Sequence, residues 1–201
     1  MSRLNRSILI IPFVPLTLCF AHISASAQNL VVNGGFEAGT LDPWISNNNV
    51  DVVGGFWNHH SGGRSLDLSG GGPVGSIFQD VATNNGQSYQ VGFYMAGNFY
   101  GGPDIKQMDV YWGDQYLGRE VFDKAISGST LTNVNWSFRS YNVIGTSNDR
   151  LRFVSFGDDD GFGPTLDDIS VSPVPAPSAL AAFVIGAVPG AVVLLRRRRK
   201  A

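Results

Sequence analysis

Two adjacent histidines, His59 and His60, are the residues in the middle of the chain with the most versatile chemistry. An imidazole acts as a general base or a metal ligand near neutral pH. Here both lie beside the Gly62-Gly63 turn, and the sequence has no H-E-x-x-H or G-x-S-x-G pattern. Glycoside hydrolysis needs two carboxyl groups about 5–9.5 Å apart, and 16 acidic residues supply such a pair by chance. The sequence favours a non-catalytic protein, with a small glycoside hydrolase or polysaccharide lyase as the less favoured alternative.

Aromatic side chains offer a second kind of chemistry, because exposed rings serve as platforms in ligand sites. They make up 11% of the chain. Alternation along two predicted strands directs Tyr94 and Tyr111 away from the core, so both could lie on one exposed sheet face with Asn98 nearby. We predict these three residues as sugar contacts. The alternative is that the rings pair with neighbours across strands.

Short strands must position these side chains. Ser88–Met95 alternates apolar and polar residues with period two, which is typical of a half-buried strand. Nine similar runs, separated by Gly-, Asn- and Pro-rich turns, are Leu30–Val32, Val50–Val53, Ser65–Leu68, Ser76–Val81, Gln107–Trp112, Leu117–Phe122, Trp136–Ile144, Arg150–Phe156 and Leu166–Val171. This spacing predicts one all-β domain over residues 28–173, a sandwich or barrel for which a jelly roll is the natural candidate.

The N-terminal end reads as a secretory signal peptide over residues 1–27. Arg3 and Arg6 precede a short apolar run, and Ala25-Ser26-Ala27 has the small residues of a cleavage site. The alternative, an N-terminal membrane helix, is disfavoured because prolines interrupt a run that is short of the ~20 residues needed. The only cysteine, Cys19, lies within this segment. The processed chain therefore has no disulfide.

Charge is distributed unevenly between the body and the ends. The body carries seven basic and all 16 acidic residues, a formal net charge of −9. Such a surface repels phosphate backbones, so nucleic acid is excluded as a partner.

The C-terminal end reads as a membrane segment. Residues 179–195 are uncharged, at the short end of the ~17–25 residues that span a bilayer. The basic tail 196–201 would stay cytoplasmic by the positive-inside rule. Together with the preceding motif, this arrangement resembles a PEP-CTERM sorting signal over residues 174–201; the motif residues are Val174, Pro175, Ala176, Pro177 and Ser178. Ala176 departs from the Glu of the usual motif. The resemblance implies recognition by an exosortase, transient anchoring in the inner membrane and release to the surface or matrix of a Gram-negative bacterium.

Two motifs at the ends of the body carry a further resemblance. Asn33-Gly34-Gly35-Phe36-Glu37 near its start and Leu166-Asp167-Asp168-Ile169-Ser170-Val171 near its end resemble the galactose-binding-like jelly roll of glycan-binding modules. Intervening motifs, including Ser65–Gly70 and Gly97-Asn98, are similar to the choice-of-anchor C family of bacterial surface proteins. The resemblance implies a jelly-roll β-sandwich that binds carbohydrate.

The resemblance to sugar-binding modules also implies a structural Ca²⁺ site. In those modules the Glu of the first motif and the first Asp of the last motif ligate the ion, which places Glu37 and Asp167 as side-chain ligands here. Backbone oxygens between Ser61 and Arg64 are the matching additional ligands. Carboxylates and carbonyls are what Ca²⁺ prefers. The alternative is that Glu37 caps a turn and Asp167 pairs with Arg64.

Three functions remain open at this point. The leading one is an exported surface or matrix protein that binds polysaccharide, particularly the exopolysaccharide of its own cell. The second is a structural matrix protein without a sugar ligand, and the third is a small carbohydrate-active enzyme.

Overall fold

A computed structural model describes residues 28–46, 50–72, 74–157 and 161–175 of this protein. The predicted signal peptide, the span at 179–195 and the basic tail at 196–201 lie outside the described residues, as do Ala176, Pro177 and Ser178 of the sorting motif. In the part of the chain that is described, no helix has the length and apolar character needed to cross a bilayer.

Ten strands form two five-stranded antiparallel sheets, which confirms the predicted all-β sandwich. Sheet A has the order β1-β4-β9-β6-β7 and sheet B the order β2-β3-β10-β5-β8. The strands are β1 (Ile45–Ser46), β2 (Asp51–Gly54), β3 (Arg64–Asp67), β4 (Ser76–Ala82), β5 (Ser88–Gly97), β6 (Ile105–Trp112), β7 (Gln115–Asp123), β8 (Ser137–Ile144), β9 (Asn148–Phe156) and β10 (Pro164–Pro173).

The period-two pattern selects the core as predicted. On β5, Tyr89, Val91, Phe93 and Met95 are all buried. The Phe93 ring meets Phe153 of sheet A edge-on, with centroids 5.0 Å apart, so the two inner faces interdigitate. Burying a side chain of this size contributes about 1.5–3 kcal/mol to folding, which makes this layer the main source of stability.

One predicted strand is wrong. Leu30–Val32 is not a strand, although the Leu30 amide donates to the Val171 carbonyl at 2.8 Å. Beyond that bond the segment leaves β10, because the side-chain amide of Gln79 on β4 bonds both the N–H and the carbonyl of Val32. The segment thus links the two sheets instead of extending one.

A four-residue helix, α1 (Lys124–Ser127), interrupts the strands and was not predicted. The Asp123 side chain accepts hydrogen bonds from the Ala125 and Ile126 amides, and Gly128 ends the helix with a φ of 66°. These are the N-cap and C′ glycine signals of a helix, but the helix buries no residue. Without an apolar face, it leaves no periodicity in the sequence.

Strand β10, near the end of the domain, lies in the centre of sheet B and pairs with both β3 and β5. It begins beside the end of β5, where Pro164 opposes Gly97, and ends beside the start of β5, where Pro173 opposes Tyr89. The Val174 amide then donates to the Ser88 carbonyl at 2.9 Å.

Candidate functional site

A cleft of about 590 Å³ lies along edge strand β2. Strand β2 supplies one side, and the loops that follow β2, β3 and β5 and precede β10 supply the rest. The lining residues are Asp51, Val52, Val53, Gly54, Phe56, Trp57, Arg64, Asp67, Gly70, Asn98, Tyr100, Gly161 and Phe162. A concave surface that mixes rings with a few polar groups is the usual form of a ligand site.

Aromatic rings form the mouth of the cleft. Phe56 is 63% exposed and Tyr100 is 53% exposed, and the two rings meet edge-on with centroids 6.0 Å apart. The Tyr100 hydroxyl donates to the Phe56 carbonyl at 3.0 Å, which ties the two loops together. Trp57 lies behind them, buried, with its indole N–H on the Ser65 hydroxyl at 3.0 Å. The two outer rings are therefore held in place with faces open to solvent.

A buried carboxylate organises the loops at one end of the cleft. Asp67 accepts hydrogen bonds from the Ser69 and Gly163 amides and from the Asn98 side chain. Burial raises the pKa of Asp67 and outweighs these hydrogen bonds, which lower it. Asn98, predicted as a sugar contact beside Tyr94 and Tyr111, lies instead in the lining of this cleft. Its side-chain amide is engaged on both sides, because its oxygen accepts from the Tyr100 amide at 2.9 Å. Asn98 thus holds Tyr100 in position.

Two lysines fix the loops on the far side. Lys106, fully buried on β6, donates from Nζ to the carbonyls of Gly101 and Phe162. Lys124 donates to the same Gly101 carbonyl at 3.1 Å. Because a buried ammonium requires acceptors, these bonds hold the loops that carry Tyr100 and Phe162 against the end of sheet A.

Tyr94 lies on the outer face of sheet B, but its ring is covered. The His60 ring stacks on it with centroids 3.3 Å apart and an interplanar angle of 16°, and Phe138 packs beside it at 5.2 Å. His60 also contacts Asp168 through Nδ1 at 2.6 Å. The loop before β3 folds back over this part of the sheet and occupies the ring face that a sugar would need.

Tyr111 lies on the outer face of sheet A. Its ring lies under the Arg152 guanidinium at 4.2 Å and beside Tyr116 at 5.4 Å. The prediction that Tyr94 and Tyr111 share one exposed face is wrong, because β5 and β6 belong to different sheets. Alternation along each strand gave the outward direction correctly but carried no information on which sheet contains the strand.

The residues predicted to bind calcium converge in the structure. A side-chain carbon placed on Gly35 would lie 3.7 Å from Asp167 Oδ1 and 3.9 Å from Glu37 Cγ, so both side chains approach one point. Asp167 is fully buried. Burial and the neighbouring Asp168 carboxylate raise the pKa of Asp167 to about 7.

Backbone N–H groups satisfy these carboxylates. Asp167 accepts from the amides of His60, Ser61 and Asp168, and Glu37 accepts from those of Gly63 and Arg64. The alternative pairing of Asp167 with Arg64 is not seen among the described residues.

The residues around this point fit the ligand preferences of calcium in part. Glu37 and Asp167 are hard oxygen ligands, but the loop from Ser61 to Arg64 turns amides towards them. To bind an ion there, the loop would have to turn backbone carbonyl oxygens, in place of its amides, towards the site. Across the described ranges, no group of three or more His, Cys, Asp or Glu side chains could hold a metal. Calcium therefore remains a prediction.

Sequence reasoning missed part of the cleft. Phe56, Trp57 and Tyr100 were not among the predicted sugar contacts. A usable signal was present, because Phe56 and Tyr100 each lie next to glycine-containing turns, where rings are exposed. Val174 and Pro175 of the sorting motif are exposed at the end of β10, away from the cleft.

Comparison with known proteins identifies the kind of domain that carries this cleft. A family model described as a carbohydrate binding domain matches residues 28–144, which is more than half of the chain. The chain belongs to this family. The family is defined by binding, so the carbohydrate binding domain is assigned a binding role.

Solved structures share the fold of this carbohydrate binding domain. TmCBM61, solved in complex with β-1,4-galactotriose, aligns with a TM-score of 0.56 and 19% identity, covering 74% of this chain and 100% of that one. The CBM22-1 xylan-binding domain of Paenibacillus barcinonensis Xyn10C aligns with a TM-score of 0.51 and 18% identity, covering 75% and 97%. At this identity the likeness establishes the jelly-roll-like fold alone.

One curated relative matches in sequence. Halomucin of Haloquadratum walsbyi is 27% identical over 171 residues, covering 74% of this chain. The match covers only 2% of halomucin, so the carbohydrate binding domain corresponds to a small part of that protein.

Proposed function

We propose that this chain is an exported, non-catalytic protein whose domain at residues 28–173 binds a polysaccharide chain in the cleft along β2. The observation that carries the proposal is the exposed pair of rings, Phe56 and Tyr100, at the mouth of a cleft in a carbohydrate binding domain. Membership of the family supports a sugar ligand, and the ring pair supports this location.

The cleft is preferred to the two tyrosine surfaces because its ring faces are open. His60 covers Tyr94, and the Arg152 guanidinium covers Tyr111. A sugar that stacked on either ring would first have to displace these contacts, which costs binding free energy. The exposed rings of the cleft require no such displacement. Tyr94 and Tyr111 are therefore the less favoured contacts, whereas Asn98 lies in the cleft itself.

The ligand and the location are inferred from different observations. Of two structural relatives, one was solved with β-1,4-galactotriose and the other is a xylan-binding domain, which favours a long β-linked chain as ligand. Export, recognition of residues 174–178 by an exosortase, transient membrane anchoring and placement on the surface or in the matrix rest on the PEP-CTERM and choice-of-anchor C resemblance. At that location the domain would meet the exopolysaccharide of the producing cell, which we therefore propose as its ligand.

A glycan array and affinity electrophoresis with the purified full chain test the cleft. Phe56→Ala and Tyr100→Ala should each weaken binding by about tenfold or more, as expected when a central aromatic contact is truncated. Tyr116→Ala is the matched control, because Tyr116 is 51% exposed against 53% for Tyr100 and lies on sheet A. Its affinity should stay within about twofold of the native value.

Three results would contradict the proposal. If Tyr116→Ala weakened binding and the two cleft variants did not, the site would lie on sheet A, near Tyr111. If the native chain bound no glycan, the structural matrix function would replace this one. Release of reducing ends from exopolysaccharide by the purified chain would instead establish an enzyme.

A further inference from the structure

Arg64 differs from the other cations of the described body. Four of the seven are paired with carboxylates: Arg119 with Asp109, Lys124 with Asp104, Arg139 with Glu120 and Arg150 with Asp80. Arg152 lies over the Tyr111 ring, and Lys106 donates to backbone carbonyls. The Arg64 guanidinium has no hydrogen bond, ion pair or ring contact with any residue that the structure describes.

Two glycines make room for this guanidinium beside the cleft. A side-chain carbon on Gly39 would lie 3.2 Å from Arg64 Cζ, and one on Gly54 would lie 3.1 Å from a terminal nitrogen. Gly39 also has a φ of 73°, which side chains rarely adopt. Arg64 is half-buried and lines the cleft. The fold thus holds a partly dehydrated positive charge at the proposed sugar site without a partner of its own.

The chemistry of this group indicates its ligand. A guanidinium presents a planar fork of N–H donors that matches a carboxylate with two parallel hydrogen bonds, and charge-assisted bonds of this kind are stronger than neutral ones. The rings of Phe56 and Tyr100 line the same cleft and can take the apolar face of a sugar. An anionic substituent on the chain would supply the acceptor that Arg64 lacks.

We propose that Arg64 makes the cleft selective for acidic polysaccharides, in which sugar units carry a carboxylate or a sulfate ester. This inference rests on the proposed function, because it assigns the substrate class of the same cleft. Asp51 also lines the cleft but pairs with the other end of β3, so its backbone lies about 10 Å from that of Gly54, the residue opposite Arg64. The Asp51 carboxylate is placed to accept hydrogen bonds from the hydroxyl groups of a neighbouring sugar unit.

Two carboxylates, Asp51 and Asp67, line the same cleft as Arg64, and the rest of the negative charge of the body acts against this selectivity at long range. A formal charge of −9 repels a polyanion, but at 0.15 M salt the field of exposed charges decays over about 8 Å. The contact with Arg64 is made at hydrogen-bond distance and is screened less. Selectivity should therefore be measured at physiological salt, where the local contact outweighs the distant charges.

The test compares β-linked polymers that carry an anionic group with uncharged counterparts. Binding of the full chain is measured to hyaluronan and its methyl ester, and to cellulose sulfate and hydroxyethyl cellulose, at 0.15 M salt. The native chain should prefer the charged member of at least one pair by about tenfold, and the pair that shows the preference distinguishes carboxylate from sulfate. Arg64→Gln should reduce that preference to near one. Arg64→Lys, which keeps the charge but loses the fork, should fall between.

Arg152→Gln is the matched control, because Arg152 is also half-buried and has no carboxylate partner among the described residues. It should keep the native preference, and melting curves should show that all three variants fold. Equal binding of charged and uncharged polymers by the native chain would overturn this inference and leave the proposed function intact. Loss of all glycan binding in the native chain would overturn both.

Discussion

At the scale of single residues, the acidic pair Asp167-Asp168 has the most unusual environment in the domain. Asp167 is fully buried and its pKa is raised to about 7 by burial and by the adjacent carboxylate. Asp168 has a φ of 48°, at the point where the pairing of β10 with β5 shifts register. Asp tolerates this left-handed conformation better than most residues. The backbone thus brings the carboxylates of Asp167 and Asp168 close together, and their repulsion adds to the effect of burial on the pKa of Asp167.

Calcium should stabilise the domain if it binds there. An ion that binds only the folded chain adds about 2.7 kcal/mol at a hundredfold excess over Kd. That corresponds to a rise in Tm of about 5–10 °C at ~2–4 °C per kcal/mol. Glu37→Gln and Asp167→Asn should each reduce the response, and the double variant should add little, since the two residues share one ion. Melting curves of metal-free protein titrated with Ca²⁺ check this, and a Tm that Ca²⁺ leaves unchanged would exclude the site.

Acid should destabilise the domain partly through Asp149. Burial raises the pKa of Asp149, but hydrogen bonds from Thr83 and Thr146 outweigh it and leave the pKa below its usual value. The stabilisation is therefore present above about pH 4, the unfolded pKa, and is lost as the pH falls through the lower folded pKa. Asp149→Asn should flatten the dependence of the unfolding free energy on pH below about 4.

Asp80→Asn is the control for this measurement. Its carboxylate also has a lowered pKa, through the hydrogen bond from Arg150, but it lies on the exposed surface, where water screens the pair. The acid dependence should change less than in Asp149→Asn. An equal change in both variants would mean that the burial of Asp149 does not increase its contribution to the pH dependence of the unfolding free energy.

Local signals predicted the core, because the buried alternation of Tyr89 to Met95 was read correctly. That Glu37 and Asp167 lie near each other was implied by the family resemblance of the two end motifs, and both lie beside Gly35. The cleft was not predicted, because Phe56 and Tyr100 come together through loops whose paths no periodicity encodes. The absence of a partner for Arg64 is a property of the whole charge arrangement and cannot be read from its neighbours in sequence.

At the scale of elements, the open edges of the two sheets are joined by side chains. Glu120 of β7 accepts from Arg139 of β8 at 2.7 Å and from the Tyr141 hydroxyl at 2.5 Å. Burial and the Glu120 carboxylate raise the pKa of Tyr141, so the hydroxyl stays protonated as a donor. This cluster closes the side of the sandwich on which β7 and β8 face each other.

The loops around the cleft should depend on Lys106. Lys106→Met keeps the length of the side chain but removes the donor from the carbonyls of Gly101 and Phe162. Lys124 still donates to the Gly101 carbonyl, so the Phe162 carbonyl is the one that loses its lysine donor. An unpaired buried carbonyl costs about 1–3 kcal/mol, and the unfolding free energy should fall by roughly that amount. Hydrogen exchange should increase in the loops at 98–104 and 161–163.

Lys124→Met serves as the comparison, because Lys124 bonds only one of these carbonyls, and Lys106 continues to serve it. It should lower the stability less and leave exchange at 161–163 unchanged. Similar losses in the two variants would show that the buried position of Lys106 is not what secures the loops.

The strands were largely predictable because period-two alternation and turn residues are both local signals. The failures have physical causes. Leu30–Val32 has the composition of a strand, but its hydrogen bonds pass to the Gln79 side chain. Strand β1 is only two residues long, too short to alternate, and α1 buries nothing. Which sheet each strand belongs to could not be predicted from local patterns, because pairs such as β10 with β3 join residues that are distant in the sequence.

At the scale of the whole molecule, the folded domain is one part of a chain that we propose is processed at both ends. Mass spectrometry of the exported protein should show loss of residues 1–27 and of the segment after Pro177. Substitution of the arginine cluster at 196–199 by serine should leave the first cleavage intact and impair the second, because the cluster belongs to the C-terminal signal alone. An intact tail on all extracellular material would exclude sorting and leave a permanent anchor.

The direction of β10 determines how the domain would be displayed. The strand starts next to Phe162 at the cleft and ends at Pro173, so the chain leaves the sandwich from the end remote from the cleft, roughly 30 Å along the strand. Any tether attached beyond Pro175 would therefore act as a stalk beneath the domain and point the mouth of the cleft outward. Many copies held in this way would present their clefts to one long polymer at once, and weak single contacts would combine into firm retention through high effective concentration.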